Sequence, residues 1–533
     1  MPDSSHTSWT RTITVEELTA KGRAVLRRDG KQIALFATAD GVFACNNRCP
    51  HEGYPLREGS LGQDAESCVL TCNWHNWKFD LRDGANLYGG DRLRVYPVRV
   101  ADGAVWLDLA DPPPETRRAE IMAHLRDAFD DEDYDRMARE LARLRLAGGD
   151  LMDALAAAVT WSHDRLEFGW THAYAGAAEW LTLHEEHDGD AEIQLACVLE
   201  AVAHIARDVL REDAHPYPTG AAAYDEDGFV AAIEAEDEAT AAAMIRGALA
   251  AGLGFAGMER GFTRAALLHY ADFGHSLIYV AKAGRLIDRL GARTAQPLLL
   301  ALARSLCKAS REDLIPEFRG YARALADWRR DGTGAPQDAA YRGLNIDRAL
   351  ALTASQGGAD PLALYDALLG ANAENMLRFD TRYQTRVDVT MKDNVGWLDF
   401  THGLTFANAV RRQCTRFPAL WPQGLLQMAC FAGRNARYTR DDEEAERWRV
   451  DDPHAFLDAT VAMLFDHGQP EPIVAVHLLK TALAVREELA AKPSAAAEAA
   501  MLAALNRFLH TPLRRKHVRR TVRQATDFVT LDG

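Results

Sequence analysis

Residues 49–75 set the tightest limit on this chain. "CPH" gives Cys49-x-His51, and after twenty intervening residues "CNWH" gives Cys72-x-x-His75. Two thiolates and two imidazoles at such short spacings are ligands that two facing loops can close around one inorganic centre. The chain has eight cysteines, four of them between Cys45 and Cys72. In a large chain with no secretory signal, such clustering points to metal before disulfides. A zinc site with two cysteines and two histidines is the competing reading. Whatever the metal, two tight turns must meet, and Gly53, Gly59 and Gly62 supply residues that can make them.

The surroundings of the motif read as β structure. Over residues 10–110, short alternating runs such as "KQIALFAT", "GVFACN", "SCVLTC", "RVYPVRV" and "AVWLDL" are separated by turn signals such as "RDG" and "ADG". Strands this short and close suggest a small antiparallel barrel or sandwich. The run "ADPPPETRR" then breaks the chain, because consecutive prolines fit neither a central strand nor a helix interior. Beyond it Ala, Leu, Arg and Glu dominate, with apolar residues at helical spacing in "EIMAHLRDAF", "MARELARLRL" and "AEIQLACVLEAVAHIARDVL". The expected fold is a multidomain α+β chain. A small all-β domain occupies 1–110, a proline-rich linker 111–118, and a large all-α domain, a multi-helix array or pair of bundles, 119–533.

The motif and its flanks resemble the Rieske [2Fe–2S] proteins over about residues 10–110. The resemblance implies that Cys49 and Cys72 hold one iron and His51 and His75 the other, which raises the reduction potential above that of an all-cysteine cluster. "NWHNWKFDLRDG" looks like the family's second loop and following strand, with Asn76 where a glycine is usual. "RVYPVRVADGAVWLDL" looks like its closing strands. Cys45 and Cys68 do not match the disulfide positions of respiratory-chain members and read as buried free cysteines. The chain looks closer to the ferredoxin and oxygenase branch. Trp74, Trp77 and Tyr54 read as packing residues that also shield the cluster.

An electron carrier fused to some 400 further residues implies a destination for the electron. Ring-hydroxylating oxygenases place a mononuclear iron on Asp-x-x-His-x4-His in an α+β domain. Here Asp272-x-x-His275 and Asp399-x-x-His402 lack the second histidine, and the region is helical. What the helices do offer is histidines in apolar settings: His172, His204, His275, His402 and His477. Asp272 and Asp399 each precede a histidine by three residues, in a repeated Asp-Phe-x-His. Several imidazoles and carboxylates projecting inward from helices can build an iron site. The alternative is that they are satisfied core residues of Ala-rich helices. Glu200, His204 and Asp208 share one helix face. "HEEH" (184–187) reads as a solvated helix end. The "FGH…IY…K" and "DFTHG" segments resemble questin oxidase-like proteins, which implies O2-dependent oxidation of an aromatic or polyketide-like molecule.

The expected function is that of a Rieske-type oxidoreductase, an oxygenase or oxidase with a [2Fe–2S] cluster and additional iron in the helical domain. The chain shows no GxGxxG fingerprint, so its electrons would come from an external NAD(P)H-dependent reductase or ferredoxin, and its substrates would be O2 and a small organic molecule. The rival reading is an electron relay whose helical domain is a partner-docking scaffold; a redox sensor lacks any DNA-binding motif. A net charge of −16 argues against nucleic acid and anionic membranes, and "RRKHVRR" (514–520) reads as a solvated helix face. No apolar run approaches the ~18 residues of a spanning helix, and a cytoplasmic, soluble chain, compatible with homo-oligomerisation, is expected.

Overall fold

The computed structural model describes residues 9–63, 68–332, 334, 336–441 and 443–531. Nine strands occupy the N-terminal part: β1 Trp9–Thr14, β2 Arg23–Arg28, β3 Lys31–Thr38, β4 Gly41–Asn46, β5 Ser60–Leu61, β6 Val69–Thr71, β7 Lys78–Asp80, β8 Val98–Ala101 and β9 Ala104–Asp108. They form three antiparallel sheets, ordered β1-β9-β8, β2-β3-β4 and β5-β6-β7. Strand β3 serves two cores at once. Ile33 and Leu35 pack with Leu18, Val105 and Leu107, while Ala34 and Phe36 pack with Leu56, Leu70, Phe79 and both Cys49 and Cys72. The unbroken apolar run "IALFA" follows from this two-sided burial.

The all-β region gives way to helix as expected, and twenty α-helices lie among the described residues. The first long helix, Pro114–Asp130, starts inside the proline run with Pro114 in its first turn, where a missing N–H costs nothing. By its contacts the chain divides into two compact units at Asp150. The helices Pro114–Asp130 and Tyr134–Leu146 therefore group with the strands. The fully buried carboxylate of Asp91 explains why, since it is paired with Arg139 at 2.6 Å and Arg143 at 2.7 Å on the second of these helices. A buried carboxylate needs such partners.

In the second unit four helices pack in a closed ring. His172–Glu186 contacts His275–Leu290 and Pro472–Ala490, and Trp397–Arg416 contacts the same two. Each of the four carries one of the histidines singled out above. Small residues along them, such as Gly176, whose place a Cβ could take only 2.5 Å from Val476, let the helices approach closely. No helix among the described residues is long and apolar enough to cross a membrane.

Candidate metal centres

The two loops of the first unit are built on one hydrogen-bond plan. Cys49 N–H donates to Tyr54 O at 2.9 Å and Gly53 N–H to Cys49 O at 2.8 Å. Cys72 N–H donates to Trp77 O at 2.8 Å and Asn76 N–H to Cys72 O at 2.9 Å. The fifth residue of each turn is left-handed: Gly53 has φ 79° and Asn76 φ 61°. Glycine enters that region freely, and asparagine is among the few others that tolerate it. The second loop closes the hairpin β6–β7, with Thr71 opposite Lys78.

Cys49 and Cys72 sit in the core, 4% and 1% exposed. Burial pushes the Cys49 thiol up to about 11, opposed by the N–H groups of His51 and Glu52 and reinforced by its neighbour Cys72. The imidazoles lie at the surface end, with His51 Nδ1 3.1 Å from His75 Nδ1. Trp77 stacks on His51 at 4.4 Å between ring centres, and Trp74, itself 56% exposed, stacks on His75 at 4.9 Å. Glu52 reaches the outer nitrogens, 4.0 Å from His51 Nε2 and 3.7 Å from His75 Nε2. Two buried sulfurs on one side and two facing Nδ1 atoms on the other are the donor set that a histidine-ligated [2Fe–2S] cluster requires. Cys45 and Cys68 are buried, and Cys68 Sγ donates to Asp40 Oδ2 at 3.1 Å.

In the second unit the side chains of His172, His275 and His402 converge as a group able to hold a metal ion. His275 Nε2 lies 3.1 Å from His172 Nε2 and 2.8 Å from His402 Nε2. His477 completes the cluster, its ring 4.9 Å from that of His172 and 5.1 Å from that of His402. The opposite nitrogens are committed to backbone. His275 Nδ1 donates to Asp272 O, His402 Nδ1 to Leu398 O at 2.5 Å, and His477 Nδ1 to Ile473 O at 2.6 Å. These bonds fix the tautomer, so the Nε2 lone pairs point inward, as metal-ligating histidines are held. His477 Nε2 is buried with no partner among the described residues.

Burial and then Lys480 hold all four imidazoles below their usual range, His275 down to about 3. Lys480 Nζ lies 3.4 Å from His402 Nε2. Burial, with Lys282 close by, pulls that ammonium down to about 7. Lys282 in turn donates to Glu179. Lys480 went unnoticed in the sequence, although a lysine three residues after His477 in the otherwise apolar "VAVHLLKTALAV" is the available signal.

The other sequence candidates are placed elsewhere. His204 turns to Asp208, with Nε2 3.7 Å from Oδ1, and Glu200 pairs with His467 at 3.1 Å. Asp272 Oδ1 accepts from Ser310 N–H at 2.8 Å. Asp399 Oδ2 accepts from Gly396 N–H at 2.9 Å, and its Oδ1 from Arg434 at 3.1 Å. Both aspartates thus shape backbone before a histidine. In "HEEH", Glu185 and Glu186 pair with Arg289 and Arg486.

Comparison with known proteins matches the first unit. A family model of the Rieske-like [2Fe–2S] domain covers residues 8–108. The 3-phenylpropionate/cinnamic acid dioxygenase ferredoxin subunit of Escherichia coli is 33% identical over 96 residues, which are 18% of this chain and 88% of that protein. The 4beta-methylsterol monooxygenase of Methylococcus capsulatus is 37% identical over 95 residues, 16% of this chain, and the chain spans only 25% of that relative. Among solved structures, the ferredoxin of carbazole 1,9a-dioxygenase from Nocardioides aromaticivorans is 28% identical, covering 19% of this chain and 95% of that one, with a TM-score of 0.17. With the paired loops and their two-thiol, two-imidazole donor set, the family model and the ferredoxin subunit, 88% of whose length this chain covers, make the chain, through residues 8–108, a member of the Rieske-like [2Fe–2S] family of electron-transfer oxidoreductases.

Proposed function

We propose that this chain is an O2-dependent oxygenase or oxidase, with a Rieske cluster held by Cys49, His51, Cys72 and His75 and iron held in the helical unit by His172, His275, His402 and His477. The observation that carries this reading is the meeting of three Nε2 atoms in the helical core, with those of His172 and His402 lying 3.1 Å and 2.8 Å from that of His275 and the tautomers of His275 and His402 fixed by backbone. Lone pairs so close together in an apolar interior repel unless a cation lies among them. When bound, the cluster supplies electrons singly and the histidine-held iron supplies O2 activation.

The chain's own residues do the rest. The carbonyls of Asp272, Leu398 and Ile473 hold the imidazoles in register. Lys480 holds a proton at Nζ beside His402, where it can be delivered to the site. Trp74 and Trp77 cover the histidine faces of the first centre and limit water there. Electrons would come from an external NAD(P)H-dependent reductase or ferredoxin, a role in keeping with relatives that are dioxygenase ferredoxin subunits. The substrate would be a small organic molecule. An aromatic or polyketide-like one is favoured by the likeness of Phe273–Lys282 and Asp399–Gly403 to questin oxidase-like proteins.

Iron and acid-labile sulfide measured on the same purified sample test this reading. A cluster alone gives about two irons per two sulfides; an excess of about one iron, lost on mutation of the histidines together with O2-dependent substrate oxidation, is expected. Equal iron and sulfide in folded protein with a full cluster and no substrate oxidation would leave a relay and defeat the oxygenase.

A further inference from the structure

The two Asp-Phe-x-His segments deliver the histidines whose Nε2 atoms lie 2.8 Å apart, yet they are built differently. Asp399–His402 is regular helix. Asp272–Gly274 is a left-handed turn, with φ of 48°, 47° and 79° at Asp272, Phe273 and Gly274. Left-handed backbone is unfavourable for a non-glycine residue, so the turn must be held from outside. Asp272 N–H donates to Ser310 O at 3.0 Å and its carboxylate takes Ser310 N–H. Those bonds pin the first segment without reference to the second.

The side chain of Arg434 touches both. Arg434 is 7% exposed and sits on the helix Trp421–Asn435, which carries none of the four histidines. Its guanidinium lies over the Phe273 ring, 4.9 Å from the centre. Its Nη2 donates to Asp399 Oδ1 at 3.1 Å, and its Nη1 to Asn435 Oδ1 at 3.1 Å. Asn435 Nδ2 in turn donates to Asp399 O at 3.5 Å. A planar guanidinium can stack on an aromatic face and donate in its own plane at the same time, and an ammonium cannot.

We propose that Arg434 is a positioning residue for the helical metal centre: by clamping Phe273 and Asp399 together it fixes the distance and angle between His275 and His402. The proposal rests on the reading that these histidines bind a metal. Loss of the clamp uncouples the left-handed turn, which carries His275 through the bond from its Nδ1 to Asp272 O, from Asp399.

The test uses full-length protein with its cluster, and Co(II) as a spectroscopic probe of the histidine site. Arg434→Met and Arg434→Lys are compared with wild type and with Arg437→Met. Arg437 is a neighbour that pairs with Asp393 at 2.7 Å and stacks on Tyr438, touching neither segment. Arg434→Met is expected to weaken Co(II) binding by about 10- to 100-fold and to shift its ligand-field bands. Arg434→Lys should fall between it and wild type, and Arg437→Met should match wild type, with cluster absorbance equal in all four. A lowered melting temperature with wild-type affinity and bands in the Arg434 variants overturns the proposal. Should Arg434→Met not fold, Arg434→Lys decides by the same criterion. Failure of wild type to take up Co(II) at all overturns the underlying metal reading instead, and the proposal with it.

Discussion

His275 and His402 face one another Nε2 to Nε2 at 2.8 Å, although 127 residues separate them in sequence. Each has given its Nδ1 proton to a carbonyl of its own local backbone. The geometry is therefore set twice, once by the turn of backbone before each histidine and once by the packing of the helices that carry them. Neither ring can rotate to relieve the contact without abandoning a hydrogen bond in a buried setting, which would cost about 1–3 kcal/mol.

Replacing either ring by alanine should therefore empty the second centre and spare the first. His275→Ala and His402→Ala are expected to retain the cluster's absorbance and its low average g-value, to lose the iron in excess of sulfide, and to lose substrate oxidation. His477→Ala should lower iron affinity by about 10-fold without abolishing binding, because three converging rings remain. Parallel iron and sulfide analysis reads all three, and full iron in both of the first two variants would return these histidines to the core.

The paired cluster loops predict an asymmetry between two substitutions at one site. Asn76 occupies the left-handed position that Gly53 takes in the other loop. Asn76→Gly removes the side chain and keeps the conformation, so cluster content should not change. Asn76→Val demands that a β-branched residue adopt φ near 61° and should cost about 1–2 kcal/mol or more, seen as earlier bleaching of the cluster absorbance on heating. His51→Ala or Cys72→Ala should abolish that absorbance outright. Equal thermal bleaching of Asn76→Gly and Asn76→Val would mean that the backbone, not the residue, sets this turn.

Much of this architecture is legible in the sequence, and the parts that are not share a cause. Period-two alternation up to about residue 110 and helical spacing beyond it announce the two classes of structure, and the Cys-x-His and Cys-x-x-His pairs announce the first centre. The grouping of Tyr134–Leu146 with the strands is not legible, because it depends on Asp91 meeting Arg139 and Arg143 across a gap in sequence that no periodicity records. His204 and His477 occupy similar apolar helices, and only the ring of four helices decides that His477 joins the cluster while His204 turns to Asp208. Asp272 and Asp399 share one spacing but act on backbone, a role that spacing alone does not separate from ligation.

The contribution of Glu312 to the stability of the helical unit should fall as the pH rises. Glu312 is buried in the short helix Glu312–Leu314, and its Oε2 has no partner among the described residues. Burial, then the nearby Asp272, pushes its carboxyl from 4.5 up to about 8. The folded chain thus holds this proton more tightly than the unfolded chain. Its contribution is complete below about 4.5 and is lost as the pH climbs through about 8, a loss of up to roughly 5 kcal/mol. Denaturant titrations of wild type and Glu312→Gln across that window check this: wild type should lose stability relative to the variant as the pH rises, and parallel curves would assign the proton to another group.

A strict structural demand falls on Gly274, the last residue of the left-handed turn. It has φ +79°, and a Cβ there would lie 2.4 Å from Cδ2 of Phe406. Phe406 belongs to the same helix as His402, four residues further on. A methyl group at Gly274 therefore strains the backbone and also drives the His275 turn away from the helix that carries its partner. Gly291, at the other end of the His275 helix, provides the comparison: it has φ +83°, but a Cβ would meet nothing within 4 Å. Gly291→Ala should cost the strain alone, about 1–3 kcal/mol, and leave iron in the second centre unchanged. Gly274→Ala should cost about 2–4 kcal/mol and lose that iron while the cluster signal persists. The decisive measurement is the ratio of iron to sulfide in the two variants after both are shown to be folded. Full iron in Gly274→Ala would mean that the close approach of the two histidine segments is not what holds the metal.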